Sequence, residues 1–175
     1  VRPAEWIHRH VVDPNAGEHV GKYLVQCGIA SAAVVAMLLL LDVLRQAAIV
    51  SSLGATAFIT FTQPHSHASR PRSLLGGYVA GTLTGLLFSG LRQLLLLTWF
   101  SNQVLLVAGV TGALAVGLSM LIMVFTNSEH PPASGLALGI VVNEWDPTTL
   151  AVVILGVLVL YTVKTALKTY LIDLR

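Results

Sequence analysis

Long apolar runs at 23–41, 47–62, 74–91, 104–125, 133–142 and 150–163, broken by short polar turns, constrain this chain more than any other feature. A helix rises about 1.5 Å per residue, so crossing roughly 30 Å of hydrocarbon takes about 20 residues, with a lower limit near 17. The fourth run exceeds that length, the first and third meet it, and the second and last reach it with flanking residues. The fifth, at 133–142, is half-length. Only 10% of the residues are charged against 55% hydrophobic, and the mean hydropathy is +0.79. So few charges cannot coat a water-soluble sphere, which excludes a soluble globular domain and a disordered chain. The expected fold is an all-α membrane protein of about six membrane helices, one of them short. Residues 1–17 read as a polar interfacial segment, and 18–175 as a single transmembrane helical domain.

Charge placement sets the expected topology. If the short fifth segment crosses the bilayer, eight of the ten Lys and Arg residues share one face, leaving Arg45 and Arg92 opposite. The positive-inside rule then puts both termini on the cytoplasmic side. A net charge of +2 with no long basic run leaves no footprint for nucleic acid. Cys27 has no second cysteine to pair with, so no disulfide forms within the chain.

Two polar turns carry most of the chemistry. Phe61, Thr62 and Gln63 lead into Pro64, His65, His67, Ala68, Ser69, Arg70 and Arg72; Phe125, Thr126 and Asn127 lead into Glu129, His130, Pro131, Pro132, Ala133 and Ser134. The two turns echo each other and suggest a tandem hairpin repeat. Gly77, Gly81 and Gly85, four residues apart, form a face on which another helix can pack closely. The prolines at 131 and 132 predict that the short helix begins there, with the backbone N–H groups of Ala133, Ser134 and Gly135 at its positive end. Such an end attracts a small anion, and Arg70 and Arg72 would draw anions toward it. His130 is a candidate gate or proton carrier, with Glu129 beside it. Asp146, or Thr148, is expected to cap the last helix, with Pro147 at its start.

A competing reading is an intramembrane metalloenzyme built on His65, His67, Glu129 and His130. No His-Glu-x-x-His spacing supports it, so neither a metal, another cofactor nor an enzymatic activity is expected. A third is a non-catalytic membrane scaffold. Six spans of this size enclose little volume, and a homo-oligomer is expected in each case.

The triad His130, Pro131, Pro132 with the following Ala133 resembles the signature of the HPP family of small integral membrane proteins. Gly54, Ala55, Thr56 and Ala57, then Pro64, Ser66, Pro71, Arg72, Gly76 and Gly77, are similar to that family's other common block. The likeness covers most of residues 20–165. It departs at His67, where proline is usual, at Arg70, which replaces glutamine, and at Tyr78, which replaces a common histidine. Members have been linked to nitrite movement across plastid and cyanobacterial membranes, so the resemblance implies a prokaryotic plasma membrane or a plastid membrane, with the termini on its cytoplasmic or stromal side. The resemblance therefore implies a transporter or channel for a small monovalent anion, nitrite first.

Overall fold

The computed structural model describes residues 20–22, 24–29, 31–32, 47–143 and 145–174, and the described residues are helical with no strand. The interfacial segment 1–17 and the second half of the first expected span lie outside the described residues. Among the described residues after 46 there are five α-helices, α1 (Ala47–Thr62), α2 (Pro71–Thr98), α3 (Val104–Phe125), α4 (Pro131–Val142) and α5 (Pro147–Ala166), and one turn of 3-10 helix at His67–Ser69. α2, α3 and α5 are long and apolar enough to cross a membrane, while α1 and α4 are shorter apolar helices. The spans predicted to start at 74, 133 and 150 begin two or three residues earlier, at Pro71, Pro131 and Pro147. Proline fits the first helical position because its missing N–H would have no helical partner there.

α4 is the hub of the bundle, packed against α1, α2 and α3. It runs parallel to α2: Ala133 lies against Gly81, Ile140 against Gly85, and the Val141 carbonyl accepts from Arg92 Nη1 at 2.8 Å. That last contact places a cation on the negative end of the short helix. Trp145 Nε1 donates to Ser89 Oγ at 3.1 Å, and Asp146 caps α5 by accepting from Thr149 N at 2.7 Å. The backbone N–H and hydroxyl of Thr149 hold the Asp146 carboxyl below the usual carboxylate range. α5 then returns, and Lys164 Nζ reaches the Ser69 carbonyl.

The short helix therefore runs from one face of the bundle toward the other rather than turning back. Arg70, Arg72, Lys164 and Lys168 share one face of the bundle, here called the near face, while Arg92 and Asp146 lie toward the far face. The tail closes this near face, with Leu174 N donating to the Thr62 carbonyl at 2.8 Å and Gln26 Nε2 bridging the Phe61 and Ile172 carbonyls.

Glycine makes the central contact possible. An added Cβ would fall 2.7 Å from His130 Cβ at Gly77, 2.8 Å from Ser128 Cβ at Gly76 and 2.9 Å from Ile140 Cβ at Gly85. At Gly81 the obstacle is the carbonyl oxygen of Ala133, which is backbone and cannot swing aside. The glycine face expected from the sequence is thus the seat of α4. Gly90, on the same helix, has nothing within 4 Å. Gly81→Ala should cost about 1–3 kcal/mol by overpacking, whereas Gly90→Ala should be neutral or stabilising by up to about 1 kcal/mol. Thermal unfolding of the two variants in detergent checks this, and equal behaviour would contradict the packing.

Candidate functional site

The turn between α3 and α4 is built to fold inward. Asn127 adopts a left-handed φ of 51°, which Asn tolerates better than most side chains. Ser128 N then donates to the Met123 carbonyl at 2.9 Å and Asn127 N to the Val124 carbonyl at 3.2 Å, which together close the end of α3 in a Schellman motif. Arg72 Nη2 caps the same helix end through the Thr126 carbonyl at 2.6 Å. The chain reverses there, and residues 128–130 run back beside Gly76 and Gly77.

His130, in this connecting turn, is fully buried. Its Nδ1 lies 2.8 Å from the Ala68 carbonyl and its Nε2 2.9 Å from Thr56 Oγ1. A carbonyl only accepts, so Nδ1 carries the proton, and Nε2 accepts from the Thr56 hydroxyl in the neutral ring. Thr56 Oγ1 in turn lies 2.7 Å from the Tyr78 hydroxyl, whose proton it accepts. The Ser52 carbonyl is 2.9 Å from the Thr56 hydroxyl and 3.2 Å from the Tyr78 hydroxyl, in reach of either. Tyr78 and His130 rings lie 5.6 Å apart between centroids. Every polar atom of the imidazole is satisfied, and burial pushes its pKa down from the ordinary histidine value to about 4.

The start of α4 does not offer the uncovered donors expected of it. Pro131 and Pro132 have no N–H, and the Ala133 N–H donates to the His130 carbonyl at 2.9 Å. From Ser134 onward the N–H groups fall within the helix's own i→i−4 register. Pro132 and Ala133 are buried, and Gly135 faces Ser52 of α1. A helix that opens with two prolines spends its orphan donors before any ligand can use them.

The other candidates separate. Arg72 is engaged at the end of α3, while Arg70 is exposed at the start of α2. Glu129 sits beside His67, with Oε2 3.6 Å from Nδ1, and does not touch the His130 chain. His65 pairs with Asp173, Nδ1 to Oδ1 at 3.5 Å, and its backbone N–H donates to the same carboxylate. The four residues of the metalloenzyme reading therefore do not converge, and no group of three metal-ligating side chains forms among the described residues. The two echoing turns do meet: His67 lies by Glu129, the Ala68 carbonyl receives His130, and Arg72 reaches Thr126.

Thr56 and Tyr78 were missed as partners of His130. Ser52, Thr56 and Thr60, four residues apart and all buried, form a polar stripe along apolar α1, and that spacing was readable.

A bundle of apolar helices around a half-length helix with a buried polar core defines a helical integral membrane protein. The family described as HPP, transmembrane region, matches residues 17–172, and this chain belongs to it. A transmembrane protein of Dictyostelium discoideum is 37% identical over 90 residues, which is 51% of this chain and 28% of that protein. The chain thus spans little more than a quarter of the length of that curated relative. No solved structure matches.

The unfolded chain protonates this histidine near 6.5 and the folded chain only near 4, so in that window the unfolded state binds more protons. Stability should fall as pH drops from about 6.5 toward 4, by about 3 kcal/mol at most. His130→Gln should lose that component, and thermal midpoints of the two proteins at pH 7.5 and 4.5 provide the check. Equal pH slopes would contradict the buried neutral ring.

Proposed function

We propose that the protein moves a small inorganic anion across the bilayer, with nitrite as the leading substrate by family likeness, and that His130 is its gate. The observation that carries this reading is the buried, fully bonded imidazole at the start of a half-length helix that crosses the bundle. A titratable group with perturbed protonation and specific partners is a functional-site candidate, and short helices of this kind surround substrate sites in transporters.

The gate acts through hydrogen-bond direction. When Nε2 takes up a proton it ceases to accept from Thr56 and must donate to it, and the Thr56 and Tyr78 hydroxyls then turn toward the Ser52 carbonyl. A charge so placed has no carboxylate partner in the network. It favours withdrawal of the 126–130 turn from the glycine face, and only that movement frees the first turn of α4 for an anion. Arg70, exposed on the near face, recruits the anion. Arg72 contributes once the turn releases it, and Glu129 receives the outgoing imidazole's charge. Both termini are assigned to the cytoplasmic or stromal side, where the basic residues gather.

The tight seat of α4 favours a second reading, a membrane scaffold with no transport. Flux separates the two. In proteoliposomes, nitrite uptake should exceed that of empty liposomes and rise as the external pH is lowered from 6 to 4.5, toward the depressed pKa of the buried ring. His130→Gln, which keeps the turn's polar contacts without the titration, should lose the pH dependence. A folded protein passing none of nitrite, nitrate, formate, chloride and bicarbonate would leave the scaffold. Purified protein is expected to hold less than about a tenth of an equivalent of zinc or iron, because the tetrahedral and octahedral sites of those metals need three or more converging side chains.

A further inference from the structure

α5 ends at the near face with Lys164 in its last turn and Lys168 in the turn that follows, and neither is used by the His130 chain. Between them and the proline-bearing turn lies a cavity of about 180 Å³, whose walls include Pro64, His65, Pro71 and Tyr161. Lys164 is half-buried, and its ammonium reaches the Ser69 carbonyl while no carboxylate of the described residues lies within 4.0 Å of it. Lys168 is exposed at the rim. Asp173, the acidic group of this neighbourhood, is held by the backbone N–H and ring of His65. Two cations with no carboxylate in direct contact among the described residues thus line one pocket with polar and apolar walls, and the charge of Asp173 acts on Lys164 only from a distance.

We propose that this pocket binds a phosphate-type oxyanion. Each lysine ammonium keeps donors to spare, since three N–H groups are available and one of Lys164's meets a carbonyl. The position fits a lipid headgroup: α5 ends here, and Tyr170, 75% exposed, follows at the level where amphipathic rings mark the bilayer interface. Basic pockets between membrane helices on the positively charged side take up lipid phosphates by this chemistry. Free phosphate from water would satisfy the same two lysines. The site stands apart from the transport reading, because it uses neither His130 nor the start of α4.

The test measures thermal midpoints of the purified full chain in neutral detergent. Dioleoyl phosphatidylglycerol or dioleoyl phosphatidylcholine is titrated into the micelles, and in a separate arm sodium phosphate is titrated against sodium chloride at equal ionic strength. The midpoint should rise with the anionic lipid, with phosphate, or with both, and not with phosphatidylcholine or chloride. The responding arm names the source. Lys168→Gln, at an exposed position, should need about fivefold more of the responding ligand, and Lys164→Gln with Lys168→Gln should lose the response, in keeping with about 1 kcal/mol per lysine. Lys22→Gln, at an exposed lysine that is not among this pocket's walls, should respond like the native chain. No response in either arm, an unchanged response in Lys168→Gln, or an equal loss in Lys22→Gln would overturn the proposal.

Discussion

The close approach of α4 and its leading turn to the glycine face of α2 is the contact on which the rest of the structure depends. In a bilayer, lipid tails are as apolar as leucine, so helices gain little from hiding side chains from water and associate through fit and hydrogen bonds instead. Gly76, Gly77, Gly81 and Gly85 supply the fit, since each faces an atom that a side chain would displace. The hydrogen bonds follow from it. Seated at Gly77, His130 can reach Ala68 on one side and Thr56 on the other, and through Thr56 it reaches Tyr78. Arg92 and Asn143 complete the seat at the other end of α4 by bonding the carbonyls of Val141 and Gly139.

Counting donors changes what that helix can do. A helix start is attractive to anions because several N–H groups have no partner. Here two of those groups are absent with the prolines and a third is closed on the His130 carbonyl. The macrodipole remains, but in this conformation no hydrogen bond goes with it. Any route for an anion past this point requires the turn to move, which makes the strength of the His130 contacts the quantity that sets access.

The fold was legible where the physics is local. Apolar run length marked α1 to α5, glycine spacing marked the α2 face, and Asp146 before Pro147 marked the cap of α5. The distribution of Lys and Arg pointed to a half-length helix that runs through the bundle, which is the course it takes beside α2. The site was less legible because its partners are remote: Thr56 lies 74 positions from His130, and nothing in the turn itself says whether the imidazole faces water or the bundle. The closed donors at Ala133 were within reach of the sequence. The prolines were placed at the helix start, and counting Pro131 and Pro132 as its first two positions would have put the N–H groups of Ser134 and Gly135 inside the helix's own hydrogen-bond register.

The central claim is that His130 is a neutral imidazole protonated on Nδ1 and locked between Ala68 and Thr56. Nitrogen-15 NMR of histidine-labelled protein, with the His130 signals assigned by loss in His130→Gln, reads this directly. The account predicts a protonated Nδ1 and a bare Nε2 at pH 7, unchanged on acidification to pH 5. A proton on Nε2 instead, or titration of the ring near its ordinary value, would contradict it.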